Sequence, residues 1–171
     1  MDEQEINCIL NIDETVKRHY TGTIYCADTL PLKLTRGKFY ISNNKESTHN
    51  FDKQAGHWIS ILCYNDGSLY YIDSFGLFPS LPFWMSLLST NSTKMGYQPY
   101  QLQNYSTTTC AIHAITFCTL FSYNFTPSQI LKTVYDVDDK NKSVSNFDYD
   151  HYAQKFLKSF YGEKRGLFYE P

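Results

Sequence analysis

Residues 56–63 read GHWISILC and residues 68–75 read SLYYIDSF, and between them stands Tyr64-Asn65-Asp66-Gly67. Both runs are rich in β-branched, aromatic and other apolar residues, and the Asn-Asp-Gly joint carries the residue types that turn tightly at little conformational cost. The pair is therefore predicted to be a β-hairpin. Neither run alternates between apolar and polar residues as a strand with one wet face would, so both strands are expected inside a sheet covered on two sides. Antiparallel pairing brings His57, at the start of the first strand, and Asp73, at the end of the second, to one edge of that sheet.

Outward from this hairpin, residues 81–88 (LPFWMSLL) have helical spacing, residues 89–96 read as a polar loop, and residues 97–102 as a further strand. The polar run 104–109 (NYSTTT) then leads into residues 110–121, CAIHAITFCTLF. That stretch is long enough for about three turns and apolar on every side, which predicts a buried helix starting at Cys110. Thr126-Pro127-Ser128-Gln129 combines a capping threonine, proline at the first helical position and glutamine three residues after the cap, the marks of another helix start. Tyr149, Tyr152, Ala153, Phe156, Leu157 and Phe160 form one stripe of a C-terminal amphipathic helix over 146–160. Towards the N-terminus, residues 2–20 carry loosely helical apolar positions, and residues 20–34, with Gly22 and Pro31, read as turn-rich and extended.

No repeat, low-complexity tract or linker divides the 171 residues, so one domain spanning 1–171 is expected. A hydrophobic content of 42% suffices for one core, and 29 aromatic residues (15 Tyr, 12 Phe, 2 Trp) favour a mixed core over a thin helical bundle. The predicted fold class is α+β, a mainly antiparallel central sheet with a buried helix on one face that carries Cys110 at its N-terminus.

A net charge of −2 and a pI near 6.2 exclude a global positive field, so nucleic acid is not an expected partner. The basic residues within 33–38 and 155–165 read as solvated faces. No apolar run reaches the roughly 20 residues needed to span a bilayer, and the start MDEQEINCIL lacks a basic segment followed by an apolar one. A soluble, intracellular chain without membrane association is expected. Cys8, Cys26, Cys63, Cys110 and Cys118 form no C-x-x-C pair and are odd in number, which points to free thiols in a reducing compartment.

One of these thiols stands where chemistry is favoured. A helix N-terminus stabilises a thiolate through its free N–H groups and dipole, and the polar loop ending at Thr109 offers backbone amides to a developing oxyanion. Taken alone, Cys110 reads as one more small core residue, His57 as a structural histidine and Asp73 as a turn former. Their pairing changes the reading: Asp73 can hold one imidazole nitrogen of His57 and leave the other to take a thiol proton. Gln103, seven positions before Cys110, can aim a side-chain N–H at the oxyanion. A metal site from Cys110, His113 and Cys118 lacks a second ligand pair, so no metal is expected. His19, His49, His113 and His151 read as structural.

His57-Trp58, then Tyr71-Ile72-Asp73-Ser74-Phe75-Gly76, then Gln103 seven places before Cys110, resemble the adenovirus maturation protease family (adenain) and the related proteases of virophages and Polinton-type elements. The order His, acid, Gln, Cys is also that of Ulp-type SUMO proteases. Tyr20-Thr21-Gly22-Thr23 and the helix over 146–160 extend the resemblance over nearly the whole chain. It implies a papain-like or adenain-like fold and a cysteine endopeptidase with Cys110 as nucleophile, His57 as base, Asp73 as orienting acid and Gln103 as oxyanion donor. Trp58 and Thr109 would flank the site. It further implies a protein or polyprotein substrate, cleaved after small residues such as glycine during particle maturation, and an enzyme in the cytoplasm, a viral factory or the virion.

The family's activating peptide and DNA are the cofactors that the resemblance brings, and the sequence itself requires none. Residues 89–101 hold no cysteine for an activating disulfide, and the acidic pI does not favour DNA. Ala111 stands where the family has glycine, and Asp73 where the adenovirus enzymes have glutamate. A monomer is expected. Two other readings stay open: a protease of ubiquitin-like conjugates, and a degenerate protease fold that only binds.

Overall fold

The computed structural model describes residues 1–47, 56–137 and 149–162. It opens with two helices, α1 (Glu3–Leu10) and α2 (Glu14–His19), where one helical segment was expected. The break has a local cause. Asp13 accepts the N–H groups of Thr15 and Val16 and so starts a second helix, as Asp2 starts the first in a reciprocal box with Glu5.

Four strands follow: β1 (Tyr20–Tyr25), β2 (Lys38–Asn43), β3 (Trp58–Cys63) and β4 (Ser68–Asp73). Next come α3 (Pro82–Asn91), β5 (Lys94–Tyr97), α4 (Cys110–Ser122), α5 (Pro127–Tyr135) and α6 (Tyr149–Tyr161). The five strands form one sheet in the order β1-β2-β3-β4-β5. Its centre, β2-β3-β4, is antiparallel with the predicted hairpin inside it, and each edge strand joins in parallel. The sheet is thus mixed, within the α+β class that the sequence predicts. A parallel neighbour needs a crossover, and α3 supplies the one between β4 and β5.

β3 explains the sheet's two covered faces. Ile59, Ile61 and Cys63 pack with Leu69, Tyr71, Trp84, Leu87 and Leu88 under α3, while Trp58 and Leu62 join Phe39, Ile41, Ile72 and the α4 side chains on the other face. α4 is buried at every residue except Ile112, as its all-round apolarity predicts. α5 begins at the predicted capping box of Thr126 and Gln129. Residues 146–148 of the predicted C-terminal helix lie outside the described residues, as does His49.

Two boundaries differ from expectation. Residues 89–91 continue α3, with the Ser89 and Thr90 hydroxyls donating to the Ser86 carbonyl and Asn91 Nδ2 to Leu87 O. β5 lies at 94–97, not 97–102, because Pro99 has no N–H to give a ladder. β2 was not foreseen; its KFYISN is a short run, closed by Ser42 and Asn43, that becomes a strand through neighbours on both sides.

Gly76 closes the turn after β4 at φ +72°, and a β-carbon there would lie 2.7 Å from the Tyr100 carbonyl carbon. Gly22 has a similar φ of +81° with nothing within 4 Å. Left-handed backbone costs a non-glycine residue about 1–2 kcal/mol, and an overpacked contact about 1–3 more. In urea unfolding, Gly76→Ala is therefore expected to lose clearly more stability than Gly22→Ala. Equal losses would assign the need for glycine to backbone conformation alone.

Candidate active site

The topology brings four segments to one edge of the sheet. β3 begins and β4 ends there because they are antiparallel; β5 ends there because it runs parallel to β4. The chain leaving β5 stays bound to that edge: Gln98 N–H donates to Tyr71 O, and the N–H groups of Leu102 and Gln103 both donate to Ser74 O. Residues 98–109 then deliver Cys110 to the N-terminus of α4.

His57 Nε2 lies 2.8 Å from Asp73 Oδ1, which also accepts the Phe75 N–H at 2.8 Å. Both side chains are largely shielded, with 16% of His57 and 5% of Asp73 exposed. Nδ1 is the ring nitrogen that Asp73 does not engage, and the His57 side chain and the Cys110 thiol act on each other's protonation. Asn44 clamps the His57 backbone, its Oδ1 accepting the His57 N–H and its N–H donating to the His57 carbonyl. Phe75 stacks on the imidazole at 4.7 Å and 21°, and Tyr105 stacks on Phe75 at 5.3 Å. Ring plane and backbone are thus both constrained before any ligand arrives.

Burial works against charge on Cys110, yet its thiol is lowered below the ordinary range. Desolvation is outweighed by the His57 hydrogen bond, the Trp58 N–H, the His57 charge and the Ala111 N–H. The same balance holds for His57: burial lowers it, but the hydrogen bonds and charges of Asp73 and Cys110 lift it to about 9. Burial without such partners has the opposite effect on other thiols, pushing Cys63 up to about 12 and Cys26 and Cys118 upward as well. The site favours a thiolate–imidazolium pair, with the α4 N-terminus adding its dipole.

Gln103 is 2% exposed. Its Oε1 accepts the Ser74 hydroxyl at 2.7 Å, and its Nε2 donates to Thr107 O at 2.7 Å, which leaves one of the two amide hydrogens for another acceptor. Trp58 is buried at the start of β3, and its backbone N–H is among the groups that lower the Cys110 thiol. Ala111 follows the sulfur-bearing residue with its own N–H directed at it. Thr109 occupies the cap position of α4, but its hydroxyl caps nothing in that helix and instead donates to Asp150.

All four predicted chemical residues therefore converge on one sheet edge. Ser74 is the residue that sequence reading passed over: its carbonyl fixes the 102–103 backbone and its hydroxyl donates to Gln103 Oε1, while the acceptor-only Thr107 carbonyl sets which end of that amide is which. Its place directly after Asp73 in the quoted motif was the available signal. His113, read as an isolated structural histidine, is paired with Asp150 at 2.7 Å and with the Tyr135 hydroxyl at 3.0 Å. Among the described residues no group of three or more His, Cys, Asp or Glu is arranged to hold a metal, and no helix is long and apolar enough to cross a membrane.

No protein-family model matches the sequence, and no curated protein matches it. Among solved structures, the chain is similar to ASFV pS273R protease at 16% identity and a TM-score of 0.41, over 68% of this chain and 41% of that one. The selenomethionine form of the same protease gives 17% and 0.40, over 67% and 43%. This chain thus spans about two-fifths of the length of the chains it matches.

The electrostatics predict a specific thiol reactivity. Iodoacetamide at pH 6, read by peptide mass spectrometry, is expected to label Cys110 well ahead of Cys26, Cys63 and Cys118. His57→Ala is expected to remove that lead, because the partner that lowers the thiol is gone. A lead that survives His57→Ala would assign the effect to the helix terminus instead.

Proposed function

We propose that this protein is a cysteine endopeptidase with a papain-like or adenain-like fold, in which Cys110 is the nucleophile, His57 its proton partner, Asp73 the orienting acid and Gln103 an oxyanion donor. The observation that carries this reading is the buried His57–Asp73 pair at 2.8 Å together with a thiol at a helix start that His57 and the Trp58 and Ala111 N–H groups hold below the ordinary thiol range. A small core cysteine needs none of these partners.

In the proposed reaction the Cys110 thiolate attacks the peptide carbonyl, and negative charge collects on the carbonyl oxygen. The free Gln103 amide hydrogen and backbone N–H groups at the start of α4 stabilise that oxygen. Protonated His57 gives its proton to the departing amine as the C–N bond breaks, leaving a thioester. It then removes a proton from water, whose oxygen attacks the thioester and releases Cys110. Asp73 keeps the imidazole in register throughout and needs no protonation change of its own.

On the strength of the sequence resemblance, the proposed substrates are structural precursor proteins of a viral particle or mobile element, cleaved beside small residues such as glycine. The enzyme is proposed to act as a monomer inside the host cell or the particle, with a viral peptide as the candidate activator. A proteome-derived peptide library read by mass spectrometry, run beside SUMO and ubiquitin fusions, tests the substrate class. Cleavage confined to the fusions would select a protease of ubiquitin-like conjugates, and no cleavage in any condition would select a binding module.

Two kinetic outcomes follow. Cys110→Ala is expected to fold and lose all turnover, whereas Gln103→Ala is expected to lose about 10²–10³ in kcat, the usual cost of one oxyanion donor. Turnover by Cys110→Ala would sink the assignment. Because His57 is raised to about 9, its proton stays available through neutral pH and is lost above that value, so kcat/KM is expected to fall on the alkaline side near pH 9. The acid limb should lie below the ordinary thiol range, since Cys110 is lowered.

A further inference from the structure

Residues 104–109 belong to no helix or strand, yet they join Gln103 to Cys110. Among the described residues, one carboxylate holds this loop at three points. Asp150 lies in the first turn of α6 and is 6% exposed. Its Oδ2 accepts the Thr107 hydroxyl at 2.9 Å and the Asn104 N–H at 3.4 Å. Its Oδ1 accepts the Thr109 hydroxyl and His113 Nε2. Three of these four donors come from the loop, and the fourth from the helix that carries Cys110.

The link to chemistry runs through Thr107. Its hydroxyl is held by Asp150, and its carbonyl accepts the Gln103 amide at 2.7 Å. Burial raises the Asp150 carboxyl, but the His113 and Thr109 hydrogen bonds, the His113 charge and the Thr107 hydrogen bond hold it below its usual range, so it accepts as a carboxylate. Burying a charge in this way carries a desolvation penalty, and an apolar residue would serve a plain packing role better.

We propose that Asp150 is a positioning residue that fixes the 104–109 loop and, through Thr107, aims the Gln103 amide. The inference rests on the peptidase reading above. Asp150 is not among the groups that shift Cys110 or His57, so the proposed action is on the oxyanion side of the site, and Cys110 labelling checks that its bonds to Thr109 and His113 leave the thiol as it was. Asp150→Asn keeps the volume but removes the charge and one accepting oxygen: its NH2 group repels the Asn104 N–H or the His113 Nε2–H, and the threonine hydroxyl facing it must reverse from donor to acceptor, which disturbs the loop at Thr107 or at Thr109.

The test uses the full chain and four variants: Asp150→Asn, Thr107→Val, Gln103→Ala, and the Asp150→Asn/Gln103→Ala double. Side-chain amide NMR of ¹⁵N-labelled protein reports on Gln103 without any substrate, and iodoacetamide labelling at pH 6 reports on Cys110. The expected result is a Gln103 NH2 pair that is sharp in wild type and shifted or broadened in Asp150→Asn and Thr107→Val, with Cys110 labelling unchanged. On a library peptide cleaved by wild type, Asp150→Asn should lose about a hundredfold in kcat with little change in KM, the scale of a misplacement near 1 Å. In the Gln103→Ala background the same substitution should cost little more, because its target is already gone.

Unaltered Gln103 signals, or an equal kcat loss in both backgrounds, would overturn the proposal. If Asp150→Asn does not fold, Thr107→Val carries the same test from the loop side without disturbing α6. If wild type cleaves no peptide, the peptidase reading fails, and the Gln103 signals still decide what Asp150 does.

Discussion

The 2.8 Å hydrogen bond between His57 and Asp73 spans the open end of the central hairpin, and the geometry of the site depends on it. It can form only because β3 and β4 pair antiparallel in a register that sets Ile59 opposite Asp73. A shift of one residue would turn every β3 side chain to the other face of the sheet and empty both halves of the core. Hydrophobic burial on two faces therefore also fixes where the imidazole sits. The same atom of Asp73 accepts the Phe75 N–H, so the turn leaving β4 and the ring of His57 share one anchor.

A second layer of support runs through the residues after that turn. Ser74 binds the backbone of Leu102 and Gln103 with its carbonyl and the Gln103 side chain with its hydroxyl. The end of β4 and the turn that follows thus present two consecutive residues that serve two halves of the site, Asp73 towards the imidazole and Ser74 towards the amide. Gly76 then lets the chain pass close to the Tyr100 carbonyl and bring the 98–109 segment in. The proposed role of Asp150 extends this support to the far side of the loop, from a helix with no other part in the site.

Much of this arrangement was legible in the sequence because it rests on local signals. The hairpin showed in its Asn-Asp-Gly joint, α4 in its all-round apolarity, α5 in its capping box and Cys110 in its place at a helix start. The contributions of Ser74, Asp150 and His113 were not legible, since each depends on a partner distant in sequence: Ser74 meets Gln103 29 residues away and His113 meets Asp150 37 residues away. Strand β2 escaped for a related reason, as its short run acquires strand character from the sheet on either side. The parallel edges of the sheet follow from crossovers whose direction no local pattern encodes.

α4 is packed at every position but one, so the helix that carries Cys110 is also a pillar of the core. That double duty restricts how such a protein can diversify. Substitutions along the helix would be screened for foldability before they could be screened for activity. The exposed Leu77 and Phe78 carry far less of the core. Change should therefore be tolerated more readily at those exposed positions than along the helix that bears the sulfur.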